Sequence, residues 1–189
     1  DPRFALPYAG IGFVWMCRQQ LGTASPDEAG PKLMEAVGKA LELDSTLAEV
    51  QFMLANMKVL GMWDWEGGGS AYQRALEINP NHAEAHGLYS LLLFTLARPE
   101  EAMDHIELAL KLDPQNPMIR IWYSAALLFA RRYDDCVSVG REILEKDPSL
   151  FLVLDQVKDA LHLLGRYGEA LEASRSYYSH LYQDLDHVF

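Results

Sequence analysis

Cysteine is scarce in this chain. The 189 residues hold 2, Cys17 and Cys136, too few for a disulfide framework and too widely separated for a Cys-based metal site. Such usage fits a reducing compartment and a cytoplasmic setting. Positive charge is also short: 16 Lys and Arg stand against 27 Asp and Glu, a net of −11. That balance opposes sequence-independent binding to nucleic acid or to an anionic membrane through this segment. No run of eighteen apolar residues spans a bilayer, and no basic-then-apolar leader opens the chain. Proline (9) and glycine (13) are few and fall mostly at joints, in a sequence that is 50% hydrophobic. Disorder is therefore not expected, and the length suits one sizeable fold.

What the chain does have is a period. Pro80, Pro114 and Pro148 lie 34 residues apart, and each closes a stretch with the same internal plan. In the stretch Ala83 to Pro114, Leu88, Leu91, Leu92 and Leu96 recur at helical steps, and Ala102, Ile106, Ala109 and Leu110 do so after a break. The break, Ala97-Arg98-Pro99-Glu100-Glu101, places a proline and two glutamates where a second helix should open. Ala102 and Ala109, two turns apart, are small enough to let paired helices approach. A unit of two helices cannot bury its own apolar face, so such units stack.

Five units are expected, at residues 1–45, 46–80, 81–114, 115–148 and 149–189, together forming a single all-α superhelix. The first is 43 residues long and carries an insertion near Thr23 to Pro31, a surface loop or a lip on a groove. Within it, Ser25, Pro26 and Glu28 spell cap, first-turn proline and capping glutamate, and Gly10 and Gly12 read as close-packing points. The second unit predicts helices over Leu47 to Gly61 and Glu66 to Ile78, with Trp63 and Trp65 expected to plug the end of the core, a recognition surface being the alternative. Gly67, Gly68 and Gly69 lack the Gly-Lys-Ser/Thr of a phosphate loop and weaken the helix they open. Gly140 stands where a large side chain would fill the core, and Cys136 takes the place of Ala102. The last helix should run through Ser174, Tyr177, Leu181 and Leu185 as a polar cap. Asp1-Pro2-Arg3 matches the later joints, so the chain reads as a piece of a longer protein.

Catalytic patterns are thin. His82 and His86 share a helical face, but Ala83 sits where a zinc-protease glutamate belongs, so adventitious metal binding or a solvent-facing helix start explains them better. His105 and His162 lie in different repeats, and the pairs Glu100-Glu101 and Asp134-Asp135 open helices, where the dipole accounts for them. No enzyme, metal or cofactor is indicated.

The turns Gly165-Arg166-Tyr167-x-Glu169-Ala170 and Arg132-Tyr133-Asp134, with the joints Ala75-Leu76-Glu77-Ile78-Asn79-Pro80 and Ala109-Leu110-Lys111-Leu112-Asp113-Pro114, resemble the tetratricopeptide repeat (TPR) consensus across nearly the whole chain. More narrowly, the joint Leu41-Glu42-Leu43-Asp44-Ser45, the Trp63-Asp64-Trp65 corner and the extended first unit with Pro26-Asp27-Glu28-Ala29 resemble TPR regions C-terminal to bacterial winged-helix transcriptional regulators and class III adenylate cyclases. The resemblance implies a right-handed superhelix whose first helices line a concave groove. Projected onto this sequence, that groove comprises Phe13, Val50, Met53, Met57, Leu60, Gly87, Leu91, Phe94, Met118, Ile121, Ala125 and Leu128, turning acidic at Asp155 and Asp159. Absent are the Lys, Asn and Arg with which chaperone-binding relatives grip a carboxylate, so a protein or peptide with an apolar segment is the expected partner. About half of these residues are expected to be covered by neighbouring helices. Alternatives are a homodimerising accessory domain of an enzyme such as a nucleotide cyclase, and a small-ligand sensor.

Overall fold

The structure, a computed structural model, describes residues 4–20 and 22–183; the junction Asp1 to Arg3 and Leu185 lie outside them. Ten α-helices follow one another, and no strand occurs among the described residues. They are α1 (Ala5–Gln20), α2 (Pro26–Leu43), α3 (Ala48–Asn56), α4 (Trp65–Ile78), α5 (Ala83–Thr95), α6 (Pro99–Leu112), α7 (Pro117–Phe129), α8 (Tyr133–Lys146), α9 (Leu154–Leu163) and α10 (Tyr167–Gln183). A π-helical turn, Met57–Gly61, extends α3, and a 3-10 turn, Phe151–Val153, leads into α9. The chain divides into two compact units, residues 1–92 and 93–189.

Each pair is closed by one residue with positive φ: Gly22 (70°), Trp63 (56°), Ala97 (57°), Arg131 (60°) and Gly165 (75°). A left-handed residue after a helix lets the next N–H reach back and satisfy an orphan carbonyl. The N–H groups of Thr23, Arg98, Arg132 and Arg166 accordingly donate to the carbonyls of Arg18, Leu93, Leu127 and Leu161, five residues back. The last three left-handed residues sit 34 positions apart, so the sequence period is a period of backbone geometry.

In residues 1–92 the period is broken twice. The joint residues Asp44 and Asn79 are 35 apart, and the extra residue falls before Trp63: the Asp64 N–H reaches back six residues to Lys58, around the π turn. In the first unit the insertion is chiefly helix rather than loop. α2 has 18 residues where α4, α6 and α8 have 14, and it starts at Pro26 with the Ser25 hydroxyl accepting from the Glu28 N–H at 3.2 Å. Gly12 does lie against Val37, Leu33 and Met53, whereas Gly10 has open space where a side chain would be.

The tryptophan corner differs from expectation. Trp63 is 76% exposed and Trp65 39%, their rings 6.5 Å apart, because a left-handed residue at the turn projects its side chain outward. The glycines behind them have a packing role: a Cβ at Gly68 would overlap Val59, and one at Gly67 would overlap the Asp64 carboxylate and Lys58. The wide π turn is thereby accommodated. Beneath it, the buried Tyr72 hydroxyl donates to Asn56 Oδ1 at 2.9 Å, and Asn56 Nδ2 donates to the Phe52 carbonyl at 2.8 Å.

In residues 93–189 α7, α8, α9 and α10 share a core of Leu127, Cys136, Val137, Leu154, Val157, Ala160 and Leu161. Cys136 is fully buried, as an alanine substitute should be; burial pushes its thiol pKa up, and Ser124 Oγ lies 3.4 Å from its sulfur. Gly140 leaves no void, since Val157 occupies the space a side chain would need. α10, expected to run as a polar cap, exposes Leu171, Tyr178 and Tyr182.

Candidate peptide-binding surface

The first helices of the pairs are α1, α3, α5, α7 and α9. Of the fourteen residues projected onto the groove, Val50, Met53, Gly87, Ile121 and Ala125 are buried. Ile121 joins a core cluster with Ile143 and Val153. Met57, Leu91, Phe94 and Leu128 are half-buried, and Phe13, Leu60 and Met118 are exposed. Asp155 and Asp159 both pair with Lys158, at 3.0 and 2.9 Å, so the acidic end carries its own cation.

Register explains part of this distribution. Gly87, Leu91 and Phe94 stand ten, six and three places before left-handed Ala97, and Ile121, Ala125 and Leu128 stand likewise before Arg131. Before Gly22 the matching places are Gly12 and Met16, so Phe13 is offset by the lengthened first unit. Measured from the helix starts Ala48 and Ala83, the counterpart of Gly87 is Phe52 rather than Met53, because the π turn inserts its residue further on.

The surviving surface forms separate hollows rather than one list. Within residues 1–92, Phe13 and Met53 meet Leu6, Ala9, Gly10, Phe52, Glu49, His82 and Glu84 around a cavity of about 300 Å³. Its walls come from α1, α3, the start of α5 and His82 just before it, and from no second helix. Met57 and Leu60 instead face Leu33 and Met34 of α2, with Trp63, around about 360 Å³. Within residues 93–189, Phe94 lies tilted against Phe129, centroids 5.7 Å apart, beside a hollow of about 440 Å³ that also touches Thr95, Ala97 and Pro99.

His82 is the polar feature of the first hollow. It precedes α5, and its Nδ1 accepts from the Ala85 N–H at 3.3 Å. The neutral ring then carries its proton on Nε2, which is buried and has no hydrogen-bond partner. Burial lowers the His82 pKa; the carboxylates of Glu84 and Glu49 act in the opposite direction. The Phe52 ring lies 4.9 Å from the imidazole. His86 is buried, its Nε2 3.0 Å from the Pro80 carbonyl, so the two histidines are turned into the fold and not toward solvent. Among the described residues no group of three or more His, Cys, Asp and Glu could hold a metal ion, and no helix is long and apolar enough to cross a membrane. Sequence reasoning missed Phe52, His82, Glu49 and Glu84. Their shared signal was position: Glu49 and Glu84 are each the second residue of a first helix.

Residues 83–116 match the family model of the tetratricopeptide repeat. Among curated proteins the chain is similar to the transcriptional regulator HilA of Salmonella typhimurium, 25% identical over 143 residues, or 76% of this chain and 26% of that protein. It thus spans about a quarter of the length of the curated relatives it matches. Solved structures with the same fold include PilF of Pseudomonas aeruginosa (TM-score 0.67, 19% identity, 93% of this chain and 75% of that one). Another is YrrB, described as a TPR protein with an unusual peptide-binding site (TM-score 0.57, 18% identity, 95% of this chain and 87% of that one). At such identities these likenesses establish the fold, a tetratricopeptide helix-pair repeat, and nothing of the ligand.

Proposed function

We propose that this tetratricopeptide repeat domain is a non-catalytic scaffold that holds an apolar peptide or helix on the surface of its first helices, as the regulatory part of a cytoplasmic bacterial signalling or transcription protein. One observation carries the reading: a hollow between α1, α3 and the start of α5 is rimmed by exposed Phe13 over buried Phe52 and Met53, with no second helix in its wall. Apolar surface left open in a concavity is where partner binding gains most from desolvation. A peptide-binding site in YrrB and the similarity to a transcriptional regulator support the same direction. The test is selection from a displayed random peptide library. Enriched peptides should carry adjacent apolar residues and should be lost with Phe13→Asp in a variant whose thermal melt is unchanged. Retained binding would refute the surface.

A second reading, self-association in the service of an enzyme such as a nucleotide cyclase, is favoured by α10. Its Leu171, Ser174 and Tyr178 stand 34 residues after Val137, Gly140 and Leu144, the places on α8 that face α9. Leu171 and Tyr178 are exposed, and a second chain seated there would repeat the contact that α8 makes with α9. Light scattering should then show association that Leu171→Glu abolishes; a strict monomer at high concentration removes this reading.

A further inference from the structure

Resting on the peptide-groove reading, we propose that the hollow beside His82 is selective for a basic–apolar segment: one large apolar side chain seated against Phe13, Phe52 and Met53, with a neighbouring Lys or Arg held by Glu49 and Glu84. Two observations converge. The cavity of about 300 Å³ is at the lower limit of ligand sites, room for a large side chain and the adjoining backbone. Finally, the polar members of the wall other than His82 are the two carboxylates Glu49 and Glu84, each close enough to the imidazole to act on its titration. Their place in the first turn of a helix accounts for their presence in the sequence; their convergence on one apolar hollow from α3 and α5 adds a cation site. The rest of the chain does not counter it, since the net charge is −11. An acidic peptide would be repelled from the same wall that its apolar residue requires.

The experiment uses fluorescein-labelled nonapeptides titrated by anisotropy at 0.1 M salt: one with a Leu-Phe centre flanked by lysines, one with the same centre flanked by glutamates, and one with lysines around a Ser-Ser centre. The lysine-flanked apolar peptide should bind about tenfold more tightly than either control. Glu49→Lys with Glu84→Lys should invert the charge preference, and Glu49→Gln with Glu84→Gln should level it if the lysine variant fails to fold. If the two apolar peptides bind equally and Phe13→Asp abolishes both, the groove reading stands and the charge selectivity is overturned. If the Ser-Ser peptide binds as well as the Leu-Phe peptide, charge alone is at work and the inference falls. If no peptide of either charge binds, the groove reading itself fails at this hollow.

Discussion

In residues 93–189 each turn between paired helices follows one formula: a left-handed residue, then an arginine whose guanidinium pairs with an acid three places on. The pairs are Arg98 with Glu101, Arg132 with Asp135 and Arg166 with Glu169. In residues 1–92 neither turn does so. Ser25 caps α2 with its hydroxyl, and Asp64 caps α4 by accepting from the Gly67 N–H at 2.9 Å while Lys58 lies 3.3 Å from its carboxylate. In the regular half the turn arginines pair with acids of their own repeat, and Arg141 reaches across to Glu169 of the next. The irregular half, with its lengthened α2 and its π turn, replaces that formula with side-chain caps.

The contrast can be broken most forcefully at its close approaches. Gly140→Leu and Gly68→Leu should each cost roughly 1–3 kcal/mol, because a side chain would meet Val157 or Val59 in packed helices. Thermal melts check this, and an unchanged melt for Gly140→Leu would mean that α8 and α9 are not so closely packed. Tyr72→Phe should come next, at about 1–2 kcal/mol, since it strands the buried Asn56 oxygen. Ala97→Gly and Arg131→Gly should stabilise by about 1 kcal/mol each, relieving a left-handed conformation that Gly165 already occupies without strain. Urea titration would register that gain, and Trp63→Gly extends the comparison to the irregular half.

The smallest effect is electrostatic. Hydrogen bonds from Arg166 first, then Arg141, hold the Glu169 pKa down to about 2. A depressed carboxylate stabilises the fold above its unfolded-state pKa and loses that contribution as pH falls through the folded value. Melts of the protein and of Glu169→Gln should therefore differ at pH 7 and converge as pH falls from about 4 toward 2. A constant difference across that range would show that the arginines act on something other than the charge.

Much of the fold was legible because helix starts and stops carry their own chemistry. Ser25-Pro26, Arg98-Pro99 and Asn116-Pro117 each mark a helix start in the structure, and buried Ala102 and Ala109 sit where small residues were read as helix contacts. The site was legible only in part. A period of 34 projected from residues 93–189 into an irregular half cannot place a one-residue insertion, so Met53 was named where Phe52 stands. Trp63 was read as a plug because burial usually follows hydrophobicity, yet a left-handed turn fixes the direction of its side chain first. His82 looked like a solvent-facing helix start, since nothing local says that Phe52 will cover it.

By itself the sequence determined that the chain forms paired helices in repeats, how they begin, and that the surface is acidic, because periodicity, capping and charge are properties of neighbours along the chain. Only the tertiary structure decided which apolar residues are spent in the core and which remain open, that Gly140 is filled by Val157, and that Glu49 of α3 meets His82 and Glu84 at one hollow. Those outcomes depend on contacts between residues dozens of positions apart, and a single inserted residue resets them without altering the helical pattern that specified the fold.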